Sequence, residues 1–478
     1  MKVLMAASEC APFIKTGGLA DVVGALPAAL SGHGIDCRIL LPAYPSLQPL
    51  LSDGRQVAKF SDLPGGYGQL VLVSVQGIDL LLLDAPQLFD RPGLPYTDPD
   101  GADWADNHLR FGALAQASAR VGLDGVDGWQ PDIIHAHDWQ AALTPVYLKQ
   151  SGQDAPKSVL TIHNIAFQGR FGPHALSDLG LRGDWFHPEA LEFHGDLAFL
   201  KGGLMFADRI TTVSPTYARE ILTPQYGMGL DGVLQSRTAI LSGILNGIDT
   251  GTWDPLSDPA LARGYNARSL GRKADSRASI ADRVGLDPDS RGPLFCVISR
   301  LTEQKGLDVL IDTVPHIVER GGQLAVLGSG ETALEQAFVD AGQRFAGSVG
   351  AVIGYDEAFA HLLQGGSDAI LIPSRFEPCG LTQLYGLRYG TLPIVARTGG
   401  LADTVIDANV AALNAECATG FVFDNVTKTG VEAVLDRVFG CFDDKKTWQM
   451  MQRAAMRQAV GWDRSAREYA ELYKSLSV

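Results

Sequence analysis

Short β-rich runs alternate with helical patterns along this chain in two separate series. The first comprises 3–7, 38–41, 80–83, 133–136, 158–162 and 209–213; the second begins after residue 290 with 294–299, 323–327, 348–353, 369–372 and 393–396. Such alternation predicts parallel strands joined by crossover helices, and two series predict two doubly wound α/β sheets. The 478-residue length agrees, because single cores stop growing at about 250–300 residues. Between the series lie Asn246-Gly247-Ile248-Asp249, Trp253-Asp254-Pro255 and a polar stretch to Pro293. That composition predicts a crossing near Gly243, with a first domain over 1–243 and a second over 244–460. The last stretch, 461–478, carries Ala466, Tyr469, Leu472 and Tyr473 at helical spacing and could close either domain.

Charge and cysteine usage narrow the function. The formal net charge of −15 argues against non-specific binding to nucleic acid or to an anionic membrane surface, so a bound phosphate would have to be held locally. The six cysteines, at 10, 37, 296, 379, 417 and 441, lack the paired spacings of a zinc site and the density of a disulfide scaffold. A reducing cytoplasm is the expected compartment. The apolar run before Glu9 is too short for a signal-peptide core, and no stretch is apolar for long enough to suggest membrane spanning.

In open parallel sheets, ligands collect at the carboxyl ends of the strands. The string Thr-Gly-Gly-Leu-Ala-Asp stands at two such places, 16–21 behind Lys15 and 398–403 behind Arg397. Glycines there let the backbone approach a ligand, and the helix that follows favours an anion. Two copies, each led by a cation, point to two halves addressing one phosphate ligand. After 294–299 come Arg300 and Lys305, read either as a pair gripping a diphosphate or as an ordinary basic helix start. After 369–372 comes Pro373-Ser-Arg-Phe-Glu-Pro-Cys-Gly-Leu-Thr382. Glu377 could bind sugar hydroxyls or merely cap the helix, while the amides of Gly380, Leu381 and Thr382 suit a phosphate. Cys379 shares this turn, but with no histidine nearby in sequence it is not read as a nucleophile. His135-Ala-His-Asp-Trp139 and Thr161-Ile-His-Asn164 end two strands of the first series. His-x-His could ligate a metal, yet no third ligand motif accompanies it, and hydrogen-bonding or charge-stabilising work by Asp138 or His163 is preferred. Leu327-Gly-Ser-Gly-Glu331 is a weak echo of a dinucleotide fingerprint.

Together, Lys15-Thr-Gly-Gly-Leu19, His135-Ala-His-Asp-Trp139, His163-Asn164, Asn246-Gly-Ile-Asp249, Arg300 with Lys305, Gly354-Tyr355 and Glu377-Pro-Cys-Gly-Leu-Thr-Gln-Leu-Tyr385 resemble the bacterial glycogen synthases that use ADP-glucose. The resemblance spans essentially the whole chain. It implies a GT-B fold, two Rossmann-like domains facing a cleft, with the last helix returning to the first domain. It also implies a retaining α-1,4-glucosyltransferase with an ADP-glucose donor, a glycogen or other α-1,4-glucan acceptor, and no metal or other cofactor. Carried onto these positions, Lys15, Gly17, Gly18 and Asp21 belong to the donor-binding loop, and Arg300 and Lys305 hold the ADP phosphates with help from the turn at Cys379, Gly380, Leu381 and Thr382. Tyr355 would stack near adenine, Glu377 and Asn246 would bind the transferred glucose, His163 would stabilise charge at the reacting carbon, and Asp138 would lie toward the acceptor. The wider glycosyltransferase pattern has a second glutamate at the position of Tyr385, a departure the ADP-glucose synthases share. A sugar-nucleotide epimerase and a non-catalytic sugar-nucleotide or glucan-binding protein are the alternatives on the same fold; product analysis with and without a glucan separates them.

Overall fold

The computed structural model describes residues 1–477. The chain forms two compact units, one made of Met1–Asn246 with the chain from Trp462 onward, the other of Gly247–Gly461. The crossing falls at 246–247 rather than at 243–244, so Asn246 ends the first unit instead of lying inside the second. No helix among the described residues is long and apolar enough to cross a membrane.

The first unit holds strands β1 (Lys2–Ala6), β2 (Asp36–Pro42), β3 (Arg55–Leu63), β4 (Gly66–Val75), β5 (Ile78–Asp84), β6 (Ile133–His137), β7 (Lys157–Ile162), β8 (Arg170–Phe171), β9 (Glu192–Phe193), β10 (Asp196–Ala198), β11 (Arg209–Thr212) and β12 (Leu241–Gly243). Nine of them make one sheet in the order β12-β11-β7-β6-β1-β2-β5-β4-β3. β1, β6 and β7 are buried almost throughout, as expected of parallel strands covered on both faces. The edge formed by β3, β4 and β5 is an antiparallel meander, and the sequence pattern does not announce its first two strands. β3 buries only Phe60 and Leu63 and carries two register shifts against β4, so neither alternation nor a long apolar run marks it. β8, β9 and β10 form a small separate sheet.

The second unit holds β13 (Leu294–Ile298), β14 (Gln323–Gly328), β15 (Val349–Ile353), β16 (Ala369–Ile372), β17 (Leu392–Ala396) and β18 (Phe421–Phe423), all parallel, in the order β15-β14-β13-β16-β17-β18. Counted from β13 this is the Rossmann order, whose strand sequence reverses between its first and fourth members. That switch point lies between β13 and β16, the strands that lead into Arg300 and Glu377. The first unit repeats the logic: the reversal between β1 and β6 lies where Glu9 and Asp138 follow their strands.

The last helix, Asp463–Leu476, buries Ala466, Tyr469, Ala470 and Tyr473 along one stripe. It packs on the first unit, whose helix Gly18–Ser31 it contacts. Tyr473 bonds through its hydroxyl to Nδ1 of His135 at 2.7 Å, and Nε2 of the same ring meets Thr161 Oγ1 at 2.5 Å. Tyr473→Phe should therefore lower stability by about 1–3 kcal/mol, because it leaves a fully buried imidazole nitrogen unpaired. Urea denaturation of the full chain measures this, and an unchanged midpoint would show that the hydroxyl contributes nothing to docking the helix.

Candidate functional site

The first set of chemically loaded residues follows β1. Glu9, almost completely buried, turns its carboxylate back onto the glycine loop. It accepts hydrogen bonds from the Thr16 amide, from Thr16 Oγ1 at 2.7 Å, from the Gly17 amide at 3.2 Å and from the Tyr96 hydroxyl. The loop thus takes its shape from an internal carboxylate. The Thr16 and Gly17 amides serve that purpose, and the anion-binding capacity rests on the first-turn amides of the helix beginning at Gly18, which have no intrahelical acceptor. Lys15 Nζ sits 2.7 Å from Asp21 Oδ1, at the surface of the same loop. Gly17 has extended backbone with φ −157°, and a Cβ built there meets nothing within 4 Å. The loop therefore leaves open space at this position, which a ligand could fill.

The second set follows β6 and β7. His137 Nδ1 lies 3.0 Å from His163 Nε2, and Asp138 Oδ1 accepts the amides of His163 at 2.6 Å and Asn164 at 3.3 Å. Burial pushes His135 and His163 down to about 3 and His137 well below its ordinary value, with neighbouring histidines adding to the effect at His135 and His137. All three imidazoles are neutral at pH 7. Burial drives Asp138 the other way, up to about 7, against the two amide bonds that favour its charged form. Asp138 also holds φ +55°, in the left-handed region. Strain of this kind persists where the surroundings fix it, and it concentrates at working sites. Both nitrogens of His135 are engaged by hydroxyls, so the His-x-His pair is an internal hydrogen-bonding device and not a ready metal chelate. At the end of this unit, Asn246 is buried with its side-chain oxygen lacking a partner among the described residues. Such an orphaned acceptor suits a ligand hydroxyl.

The second unit's residues gather at its switch point. The turn Glu303–Lys305 is tied to the segment after β16 by Arg375 N to Gln304 O at 2.9 Å and Gln304 Nε2 to Phe376 O at 3.1 Å. This pairing puts Lys305 Nζ 2.5 Å from Glu377 Oε2, which also accepts from Ser374 Oγ at 3.0 Å. Glu377 is 9% exposed, so its charge is balanced by Lys305 rather than by water. Arg300 is exposed and has no ion-pair partner among the described residues. The second glycine string behaves differently from the first. A Cβ on Gly399 would lie 2.0 Å from Glu377 O, and one on Gly400 would lie 2.2 Å from Cys379 O. These glycines let β17's loop press directly under the turn that carries Glu377, while Arg397 pairs with Asp424 at 2.6 Å. The repeat in sequence opens onto space in one unit and is a buttress in the other.

The remaining expected residues fall around this turn. Gly380 has φ +73°. Gln383 folds back over it, donating from Nε2 to the carbonyls of Cys379 and Gly380, both at 3.0 Å. Leu381 and Thr382 open the helix Thr382–Tyr389, and Cys379 is buried beside them. Tyr385 stacks on Trp253 at 3.7 Å and 13°, and Trp253 stacks on His361 at 3.7 Å and 11°. The aromatic plate stands where the wider class has its second glutamate. Tyr355 is 79% exposed on the loop after β15. The weak fingerprint at Gly328 and Gly330 also has a steric cause: added Cβ atoms would lie 1.9 Å from Ser299 O and 2.3 Å from Leu301 O. Glu9, Tyr96 and Gln383 were missed by the sequence reading. Glu9 carried one usable signal, its position immediately beyond the first strand of a parallel sheet.

Comparison with known proteins identifies the family. The starch synthase catalytic domain family matches residues 2–236 and the glycosyl transferases group 1 family matches 280–455. The chain is 59% identical over 476 residues to the glycogen synthase of Roseobacter denitrificans, covering 100% of this chain and 99% of that one. It is 52% identical over 477 residues, with the same coverage, to glycogen synthase 1 of Rhizobium meliloti. The catalytic domain of starch synthase IV from Arabidopsis thaliana, solved with ADP and acarbose, superposes with a TM-score of 0.88 at 33% identity over 100% of this chain and 99% of that one. Two α/β units with parallel-sheet cores, chemically loaded strand ends and full-length likeness at this level lead to one conclusion: the chain belongs to the glycogen synthase family of GT-B glucosyltransferases.

Proposed function

We propose that this chain lengthens α-1,4-glucans by transferring glucose from ADP-glucose, with retention of configuration at the anomeric carbon. What carries the reading is the partly buried Lys305–Glu377 pair at the second unit's switch point, a cation and a carboxylate suited to sugar hydroxyls held together before any ligand arrives. The relatives named as glycogen synthases, and the neighbour solved with ADP and acarbose, support the donor and acceptor classes. They weigh against an epimerase or a non-catalytic binder. The scattered placing of the six cysteines fits a reducing cytoplasm.

Breaking the bond between the anomeric carbon and the diphosphate places positive charge on the sugar and negative charge on ADP, so fixed cations belong at the leaving group. Arg300 and Lys305 take that role in this reading, with Lys15 and the first-turn amides from Gly18 also acting on the donor, and Asp21 holding Lys15 in place. Glu377 and the orphaned oxygen of Asn246 accept hydroxyls of the transferred glucose. Attack then comes from the face the diphosphate leaves, the departing phosphate taking the acceptor's proton. Neutral His163 stabilises charge near the reacting carbon, and Asp138 serves the acceptor side as a group that carries a proton part of the time near pH 7. The amides at Gly380, Leu381 and Thr382 face the phosphates, with Cys379 shaping their turn and Tyr355 stacking on adenine.

Glu377→Gln should lower kcat by about two decades, roughly 3 kcal/mol on the barrier. The ADP inhibition constant should hold or improve, since Lys305 loses its internal partner. Near-normal turnover would reduce Glu377 to a helix cap.

Gly17→Ala and Lys15→Met separate ligand contact from fold. The extended backbone at Gly17 accepts alanine and its Cβ meets open space, so the melting temperature should stay put while ADP affinity falls. Loss of the partly exposed Lys15 charge should weaken ADP about tenfold to hundredfold. Wild-type ADP affinity in both variants would remove this loop from the donor site.

Asp138→Asn tests the buried carboxyl. Its folded pKa of about 7 stands above its ordinary value of 3.8. Between these values the folded chain keeps a proton that the unfolded chain has released, so this group's stabilising contribution is complete below about pH 4 and is lost as the pH rises to about 7. The asparagine variant should therefore gain stability over wild type, by a few kcal/mol, at pH 8 relative to pH 4, while its turnover drops. An equal stability difference at both pH values would show that Asp138 titrates alike in the folded and unfolded chain.

A further inference from the structure

A second cluster on the first unit lies outside the residues assigned above. His108 projects from the helix Asn107–Asp124, and His174 and Asp178 stand one turn apart, at the N-cap and the last position of the helix Ala175–Asp178. One ligand atom from each lies within 4.8 Å of the other two. His108 Nε2 is 3.3 Å from Asp178 Oδ2, and the two histidine rings are 5.6 Å apart at 84°. That contact is a long hydrogen bond; a charge-assisted one closes to about 2.7–2.9 Å. In contrast, 3.3 Å is the edge of a tetrahedron whose corners stand about 2.0–2.1 Å from a zinc ion.

The surroundings favour ligation. His108 is buried and packs its ring against Phe171 at 5.6 Å, which fixes one corner of the site. The His174 ring lies over Gly172, where a Cβ would come within 2.9 Å of its Nδ1. Glycine at 172 is therefore what leaves this ring its place. His174 and Asp178 are exposed and give an ion a path of entry. Two imidazoles and one carboxylate select borderline transition ions such as zinc over magnesium or calcium, which require oxygen ligands.

We propose that His108, His174 and Asp178 form a divalent transition-metal site of the zinc class, with water completing the coordination. Bound metal clips the segment 170–178 onto the helix Asn107–Asp124. Phe171 also packs on Trp139 at 5.9 Å, next in sequence to Asp138, so the clip stiffens the packing beneath that residue without taking part in glucosyl transfer.

The test uses the full-length protein stripped with a chelator and titrated with Co2+, whose visible absorption bands report four- or five-coordinate sites. About one equivalent should bind and be displaced by Zn2+. His174→Ala and Asp178→Asn should each weaken Co2+ binding at least about tenfold, and His163→Ala should leave it unchanged. Zn2+ should raise the melting temperature of the wild type and of neither ligand variant. Both ligand variants alter exposed side chains, and their metal-free melting temperatures should match the wild type. Bands that persist in both variants, bands lost in His163→Ala instead, or no binding at millimolar metal would overturn the proposal.

Discussion

In the second unit, backbone presses on backbone so closely at the strand ends that side chains are excluded, and the position of Glu377 depends on that contact. Added Cβ atoms on Gly306 and Gly328 would lie 1.9 Å from the carbonyl oxygens of Pro373 and Ser299, and those on Gly399 and Gly400 would strike the turn at 377–379. These contacts lay the loops after β13, β14, β16 and β17 against one another. A carboxylate and an ammonium carried on two of those loops are then brought to 2.5 Å without either side chain having to search. Removing the approach would cost more than local packing, because a buried charge that loses its partner has no water to turn to.

The first unit solves the same problem with a carboxylate in place of close contact. Glu9 gathers the Thr16 and Gly17 amides and the Tyr96 hydroxyl into one cluster, so the glycine loop is rigid before a ligand arrives. Asp138 differs although it too is buried beyond a strand. Its partners are two amides and no cation, and burial outweighs them, so it keeps its proton to higher pH. Two acids at equivalent strand ends thus serve different ends, one as scaffold and one as a group able to hold or release a proton.

Most of the parallel strands are legible because they are apolar runs bounded by turns, whereas β12 and β18 span only three residues each and do not stand out; the loaded strand ends follow from the Rossmann order. The meander β3–β4 stayed hidden because its exposed face breaks the pattern. Gln383 and Glu9 were missed for different reasons: Gln383 reads as an ordinary helical residue, and Glu9 finds Tyr96 across 87 residues of sequence. The two glycine strings also show a limit of local reading. Identical residues predicted the same role twice, yet one string opens onto space and the other is pressed beneath a carbonyl. What decides is the neighbour, which a string of six residues does not contain.

The cations of the strand ends raise a last point about charge in a chain with net −15. Lys15 and Lys305 are each held by a carboxylate, while Arg300 is exposed. A paired lysine gives up less side-chain entropy when a phosphate binds, because its carboxylate has already ordered it, and that lowers the cost of association. The same pairing screens the lysine in the resting state, so its full charge reaches a phosphate only as the carboxylate turns to another partner. In the reaction proposed above, that partner for Glu377 is a sugar hydroxyl. Glucose on the carboxylate and diphosphate on the lysine then favour each other, and a donor carrying both groups gains more than either fragment alone. Such coupling directs binding energy to the bond between the two groups, the one that has to break.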